Sequence, residues 1–188
     1  RGSLSVLSVQ LQSGQHSPTL QVKAVGLNFR DVLNVLGMYP GDPGPPGGDC
    51  AGVVNGEHGL GPQGVVGLGF GSLRYCAGTD PRLLVPMPLQ WSYNEASAMA
   101  TTWVTVWMCL EEPGVVQWGQ HGLVQAATGG VGLVAVQCLQ QMGVRVFVTA
   151  GRAVKQGYLQ GCGVQLVSTT RSAAGFVAES QSVLSEGR

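Results

Sequence analysis

Alternating apolar and polar residues dominate the first half of the chain. The segments at 4–11 (LSVLSVQL) and 20–27 (LQVKAVGL) alternate with a period of two, which predicts half-buried strands. Apolar stretches interrupted by glycines at 52–76 predict further short strands, as in a small barrel. Four prolines within 39–49 (YPGDPGPPGGD) exclude a helix or a central strand there. This half is therefore predicted to be a loop-rich β domain.

The pattern changes near residues 90–100. Ser92 lies three residues before Glu95, a capping-box spacing that predicts a helix over 92–114, ended by Pro113-Gly114. Strands and helices then alternate, which predicts a parallel βαβαβ unit, half of a doubly wound sheet. The predicted strands lie at 121–127, 144–150 and 164–169, and the predicted helices between them at 132–143 and 154–163.

Composition narrows the class of protein. Thirty of the 188 residues are glycine, and the glycines follow no period, which excludes collagen. Ten basic residues balance ten acidic ones, so nothing favours nucleic acid or an acidic membrane as a partner. Five dispersed cysteines without a C-x-x-C pair disfavour a disulfide framework, and no apolar run reaches 18 residues. We expect a cytoplasmic protein that is not membrane-bound.

A glycine-rich turn at 125–137 (QAATGGVGLVAVQ) is the first candidate for chemistry. It follows a predicted strand and opens a predicted helix, so free backbone N–H groups and the positive end of the helix dipole meet there. The dinucleotide fingerprint G-x-G-x-x-G is altered to Ala127-x-Gly129-x-x-Gly132. Alone this turn needs no ligand, but the strand after it ends where a dinucleotide ribose would lie.

Basic residues follow the second and third strands of the predicted unit. Where an NAD-selective site places an acidic residue, this sequence has Arg152 and Lys155, and Arg171 follows the third strand. Three cations would attract a ribose 2′-phosphate, which favours NADPH over NADH. The alternative is that all three are ordinary solvated surface charges.

The segment at 25–54 (VGLNFRDVLNVLGMYPGDPGPPGGDCAGVV) resembles the enoyl reductase domains of modular polyketide synthases and animal-type fatty acid synthases. These are zinc-free medium-chain reductases related to quinone oxidoreductase. RGSL at 1–4, TDPRLLVPMP at 79–88, AATGGVGLVAVQ at 126–137 and VFVTAG at 146–151 match the same family in the same order. The resemblance implies an α/β fold with a GroES-like catalytic domain at 1–95 and an NADPH-binding Rossmann domain at 96–188.

The resemblance also implies the reaction. Family members use NADPH to reduce the α,β double bond of an acyl chain held on the phosphopantetheine arm of an acyl carrier protein. A hydride reaches the β-carbon and a proton reaches the α-carbon. The implied partners are that carrier protein and the other domains of a multidomain synthase.

The matching motifs also imply roles for individual residues of this sequence. Tyr39 matches a proposed proton donor, and a phenol is ordinarily protonated at neutral pH. Lys155 matches a lysine proposed either as a proton donor or as a contact of the 2′-phosphate. Asn28 lies where the family approaches the nicotinamide, while Asp31 beside it is expected to pair with Arg30 or to cap the following helix.

The remaining predicted cofactor contacts lie in the second domain. Thr105 aligns with a threonine near the cofactor, although a bond back to its own helix backbone explains it equally well. The turn itself supplies Thr128, Gly129, Gly130, Val131 and Gly132.

One feature distinguishes the chain from zinc alcohol dehydrogenases, and another departs from the pattern of the enoyl reductases that it resembles. His58 and Glu57 in GEHGLG stand in the reverse of the order found in zinc alcohol dehydrogenases, so we predict no metal. Family members usually carry an acidic residue after the third strand, and nothing acidic occurs here between Lys155 and Glu179. That departure shifts the expected proton source toward Tyr39 or water.

The sequence ends about where the family begins its fourth Rossmann strand, so the cofactor domain is expected to be truncated after its third strand. Two alternatives to an enoyl reductase stay open: a free-standing quinone or enone reductase, and a non-catalytic structural fragment of a synthase. NADPH binding separates the enzymes from the fragment.

Overall fold

A computed structural model describes residues 19–54, 64–111, 116–164, 166–169 and 172–186. The chain divides into two compact units, Arg1–Ala98 and Met99–Arg188. The functions assigned to the predicted domains 1–95 and 96–188 stay predictions. No helix in the described ranges is long and apolar enough to cross a membrane.

The first unit is built on an antiparallel sheet of five strands in the order β4-β1-β2-β3-β5. The predicted strand at 20–27 is confirmed as β1, and the predicted segment at 4–11 lies outside the described residues. The strands are β1 (Thr19–Gly26), β2 (Asp49–Val54), β3 (Gly64–Leu68), β4 (Cys76–Gly78) and β5 (Leu84–Pro86). Three helical segments accompany them, namely α1 (Phe29–Val35), a 3-10 turn (Pro81–Leu83) and α2 (Tyr93–Ser97).

The core of this unit lies on both faces of the sheet because neighbouring residues of a strand point to opposite sides. Cys50 and Val65 join one buried cluster, whereas the adjacent Ala51 and Val66 pack on the other side with Ala96 of α2. This explains why β2 and β3 are almost continuously apolar although their sheet is antiparallel.

The predicted helix over 92–114 is wrong as a single element. Its capping box exists, because the Ser92 hydroxyl accepts from the Glu95 N–H and the Glu95 carboxylate accepts from the Ser92 N–H. The helix nevertheless ends at Ser97, and α3 (Ala100–Leu110) begins after a two-residue break. The Ser97 carbonyl lies directly against Gly26 of β1, where no side chain would fit. The chain thus turns at the point where α2 meets the sheet.

The second unit is the predicted parallel βαβαβ arrangement, with strand order β6-β7-β8. Its elements are α3, β6 (His121–Val124), α4 (Gly130–Gln141), β7 (Arg145–Thr149), α5 (Ala153–Gly161), β8 (Leu166–Ser168) and α6 (Ala173–Glu186). Val136 and Leu139 of α4, Val148 of β7 and Leu159 of α5 form the centre of its buried cluster.

Helix α6 is an element that the sequence pattern does not predict. Its sequence mixes alanine and serine with few large apolar residues, so it shows only a weak helical periodicity. A local signal does exist, because the Ser172 hydroxyl accepts from the Gly175 N–H at 3.1 Å, as a helix-capping serine does. The third strand is therefore followed by a helix of 14 residues.

A buried thiol in the first unit has a consequence for stability at high pH. Burial, reinforced by the negative charge of Asp49, raises the pKa of Cys50 to about 11. In the unfolded chain the same thiol ionises near its ordinary value of 9.0. Between these two values the folded protein holds a proton that the unfolded chain has lost, so stability falls as the pH rises.

As the pH rises from 9 to 11, we expect ionisation of this thiol to lower the free energy of unfolding of the wild type by about 1.4 kcal/mol per pH unit. The Cys50→Ala variant should lack that component of the slope, whereas Cys109→Ala, at an exposed cysteine, should keep it. Urea midpoints at about pH 8, 9, 10 and 11 measure the difference. Equal slopes in all three proteins would show that Cys50 does not titrate in this way.

Candidate cofactor and proton-donor sites

The glycine-rich turn joins the end of β6 to the start of α4. Gly129 is the N-terminal cap residue of α4, and it has no side chain that could accept a hydrogen bond from the first N–H groups of the helix. The first intrahelical bond runs from the Leu133 N–H to the Gly129 carbonyl. Within the described part of the chain, the N–H groups of Gly130, Val131 and Gly132 have no acceptor. Three aligned donors at a helix N-terminus form a site for an anion.

The shape of the turn depends on close backbone packing. A Cβ on Gly132 would lie 2.7 Å from the Ala127 Cα and 2.8 Å from the Ala126 carbonyl oxygen, so only glycine fits. At Gly129 the nearest atom would be 3.4 Å away, which leaves the outer side of the turn open. The turn is thus tight against its own backbone and accessible in front of the three donors.

The altered fingerprint has a left-handed residue next to the position of its replaced glycine. The sequence motif places the replaced glycine at Ala127, but the residue with a left-handed backbone is Ala126, with a φ of 50°. Ala127 is fully buried and its N–H donates to the Thr149 carbonyl at 3.1 Å. The left-handed residue therefore directly precedes Ala127, the position of the replaced glycine.

Two of the three predicted cations, Arg152 and Lys155, follow the carboxyl end of β7. Arg152 caps α5 and Lys155 occupies its first turn, where the Lys155 N–H donates to the Arg152 carbonyl at 3.0 Å. Both side chains are exposed, and neither has an acidic partner among the described residues. Arg171 lies outside those residues, and its role stays a prediction. The segment after β7 therefore carries two cations that lack an acidic partner among the described residues.

A cavity of about 360 Å³ lies at the carboxyl ends of all three parallel strands. Ligands of open α/β sheets bind at such strand ends. The residues lining the cavity carry hydroxyl, amide and aromatic groups but no charge, and they are Gln125, Ala126, Thr149, Thr169, Ser172, Ala173 and Phe176. No sequence motif unites this set, because its last members come from the segment that begins α6, a helix without a strong pattern.

Thr105 lies on the exposed side of α3, and its hydroxyl donates to the Thr101 carbonyl at 2.6 Å. This is the backbone bond that the sequence offers as an equal alternative to cofactor contact. Helices α3 and α4 meet nearby, since a Cβ on Gly130 would lie 3.1 Å from the Thr102 methyl group. A cofactor contact by Thr105 stays a prediction.

Asp31 in the first unit is structural. Its carboxylate accepts from the Asn28 N–H at 2.9 Å at the start of α1 and from the Gly47 N–H at 2.7 Å in the proline-rich loop. The side chain is 7% exposed. Capping is one of its two expected roles, and the structure shows it. Asn28 is the cap residue of α1 and is half-buried, so its predicted approach to the nicotinamide stays a prediction.

Tyr39 contacts Arg30, the other expected partner of Asp31. The Arg30 guanidinium lies over the Tyr39 ring, 5.3 Å from its centroid, and donates to the Pro43 carbonyl at 2.7 Å. A cation over an aromatic face is an attractive contact that orients the ring. Tyr39 is half-buried, so its ring is held in place while part of it stays accessible.

No group of three or more histidine, cysteine or acidic side chains in the described ranges is arranged to hold a metal ion. Glu57 and His58, whose order argues against zinc, lie outside those ranges.

The chain has relatives among large synthases, although no protein-family model matches it. It is 42% identical over 149 residues, 76% of its length, to a phenolphthiocerol synthesis polyketide synthase of Mycobacterium bovis, and covers 7% of that protein. It is also 42% identical over 137 residues to the spectinabilin polyketide synthase system protein NorB of Streptomyces orinoci, covering 70% of this chain and 6% of NorB.

Two solved structures share the fold. The CurK enoyl reductase superposes with a TM-score of 0.78 at 30% identity, covering 88% of this chain and 55% of CurK. The quinone oxidoreductase of Thermus thermophilus, also solved with NADPH, gives a TM-score of 0.72 at 32% identity, covering 86% of this chain and 55% of that enzyme. The chain thus spans less than a tenth of these synthases and about half of the solved reductases.

A GroES-like antiparallel sheet followed by a Rossmann-type parallel sheet defines the medium-chain dehydrogenase/reductase fold. The chain has this fold, its neighbours among solved structures include enoyl reductases and quinone oxidoreductases, and its sequence homologues are polyketide synthases. Complexes with NADPH are known for members of the family.

Proposed function

We propose that the chain takes part in the NADPH-dependent reduction of the α,β double bond of an enoyl thioester carried on an acyl carrier protein, in polyketide or fatty acid synthesis. The observation that carries this proposal is the set of three N–H donors at the start of α4 that lack acceptors within the described residues. They occur in a homologue of polyketide synthases with the fold of a reductase.

The residues of the second unit fit a dinucleotide phosphate. The N–H groups of Gly130, Val131 and Gly132 would bind the pyrophosphate, with Thr128 and Gly129 directly before them in the turn and open space beside Gly129. Arg152 and Lys155, exposed and without acidic partners among the described residues, would bind the ribose 2′-phosphate. NADPH, when bound, supplies the hydride that the β-carbon receives.

Proton delivery is assigned to the first unit. Tyr39 carries the hydroxyl group that would donate a proton to the α-carbon, and the Arg30 guanidinium over its ring orients the phenol. Lys155 is the second candidate donor, although a lysine engaged by the 2′-phosphate is a poor one. No acidic residue of the described ranges pairs with Lys155, which favours Tyr39.

The proposed partners follow from the size of the relatives. The chain covers 6% of one synthase and 7% of another, so most of each relative lies outside the matched region. We therefore propose that it works beside other domains of a multidomain synthase and receives its substrate on a phosphopantetheine arm.

Replacing Lys155 tests the cofactor assignment. We expect Lys155→Ala to weaken NADPH binding about tenfold, the loss of one charge-assisted hydrogen bond. NADH binding should be unchanged, because NADH has no 2′-phosphate. Nicotinamide fluorescence titrations measure both constants, with Lys23→Ala as the control at an exposed lysine of β1. An equal loss for both cofactors would contradict the 2′-phosphate contact.

A quinone or enone reductase is the second candidate, because the identity to the Thermus quinone oxidoreductase, 32%, is as high as the 30% identity to CurK. Single-turnover oxidation of bound NADPH by crotonyl pantetheine and by a benzoquinone distinguishes the two. Faster oxidation by the thioester supports the proposal, and oxidation by the quinone alone supports the alternative. Absence of NADPH binding at millimolar cofactor would leave the non-catalytic fragment.

A further inference from the structure

Thr149 ends β7 and contacts the glycine-rich turn twice. Its hydroxyl oxygen accepts from the Ala126 N–H at 3.2 Å, and its carbonyl oxygen accepts from the Ala127 N–H at 3.1 Å. The side chain is 4% exposed, so it has little freedom to move. Two successive residues at the start of the turn are thereby fixed to the neighbouring strand.

The residue that the Thr149 hydroxyl holds is the strained one. Ala126 has a φ of 50°. This left-handed conformation is energetically unfavourable for residues that carry a Cβ. Its carbonyl accepts from the Gly129 N–H at 2.9 Å, which closes the turn just before α4. A change in the Ala126 backbone would therefore move Gly129 and the three donors that follow it.

Thr149 also belongs to the wall of the cavity at the strand ends. Its hydroxyl accepts one hydrogen bond and can donate another, yet no acceptor for its proton occurs among the described residues. Thr149 therefore contacts the turn and also borders the cavity.

We propose that Thr149 is a positioning residue for cofactor binding: it holds Ala126 in its left-handed conformation and so aims the amides of α4 at the dinucleotide. The inference rests on the proposed function. Because Thr149 acts through Ala126, replacing Ala126 by glycine, which adopts this conformation without strain, should make the Thr149 hydroxyl dispensable.

A double-mutant cycle on the full 188-residue chain tests this. Thr149→Val keeps the side-chain shape without the hydroxyl, and Thr149→Ser keeps the hydroxyl. We expect Thr149→Val to raise the NADPH dissociation constant about tenfold, the value of one hydrogen bond, and Thr149→Ser to leave it within about twofold. The double variant Ala126→Gly with Thr149→Val should return to within about twofold of Ala126→Gly alone.

Amide hydrogen exchange provides a readout independent of NADPH. Without cofactor, Thr149→Val should speed exchange at Ala126 about tenfold and change Ala127 less, because the Ala127 bond uses the Thr149 carbonyl. If the wild type binds no NADPH, the proposed function fails, whereas the exchange result still decides the role of Thr149 in the turn. Unchanged Ala126 exchange, or an additive cycle in a chain that binds NADPH, would overturn the inference.

Discussion

Gly132→Ala is expected to lower the free energy of unfolding by about 3 kcal/mol, the upper end of the cost of overpacking. The new Cβ would lie 2.7 Å from the Ala127 Cα and 2.8 Å from the Ala126 carbonyl oxygen. Both are backbone atoms, so no side-chain rotation relieves the clash and the turn must separate from α4. Urea denaturation followed by far-UV circular dichroism measures the loss.

Gly129→Ala is the matched control for this prediction. Its Cβ would have one neighbour, the Ala126 carbonyl oxygen, at 3.4 Å, and the backbone of Gly129 is extended, so the fold should tolerate it within about 0.5 kcal/mol. The same Cβ would stand on the open side of the turn, and we expect NADPH affinity to fall about tenfold. If Gly129→Ala proves as destabilising as Gly132→Ala, the packing argument is wrong; if it leaves affinity intact, the pyrophosphate lies elsewhere.

Asp31→Ala is expected to cost about 3 kcal/mol of unfolding free energy, because two backbone donors lose a charged acceptor in a buried place. The two donors, the N–H groups of Asn28 and Gly47, lie in different segments, so Asp31 ties the start of α1 to the proline-rich loop. Asp31→Asn should lose less, since its amide oxygen still accepts one bond. Chemical denaturation of the three proteins gives the ranking.

Asp42→Ala serves as the control for Asp31. Asp42 also accepts from a backbone N–H, that of Gly44 at 2.9 Å, but in an exposed loop where water replaces it. Its loss should cost no more than about 0.5 kcal/mol. Similar costs for Asp31→Ala and Asp42→Ala would show that burial does not strengthen the Asp31 contacts.

Local patterns determined much of this protein. The strand β1, the parallel order of β6, β7 and β8, and the capping box of Ser92 and Glu95 follow from spacing between nearby residues, because periodicity and capping act over a few positions. The glycine-rich turn follows from the same kind of local signal.

Tertiary contacts decided the rest. The break after Ser97 lies where the Ser97 carbonyl packs against Gly26 of β1, a residue far away in the chain. The contact of Asp31 with the proline-rich loop and the Arg30–Tyr39 contact likewise depend on where a loop folds back. Periodicity within one segment carries no information about such distant partners.

The cofactor turn combines both kinds of information. Its residue types, a strand before it and a helix after it are enough to predict an anion site from the sequence. Which alanine adopts the left-handed conformation, and that Thr149 of the next strand holds it, required the folded chain. Backbone strain is balanced by contacts from another strand, and those contacts exist only once β6 and β7 are paired.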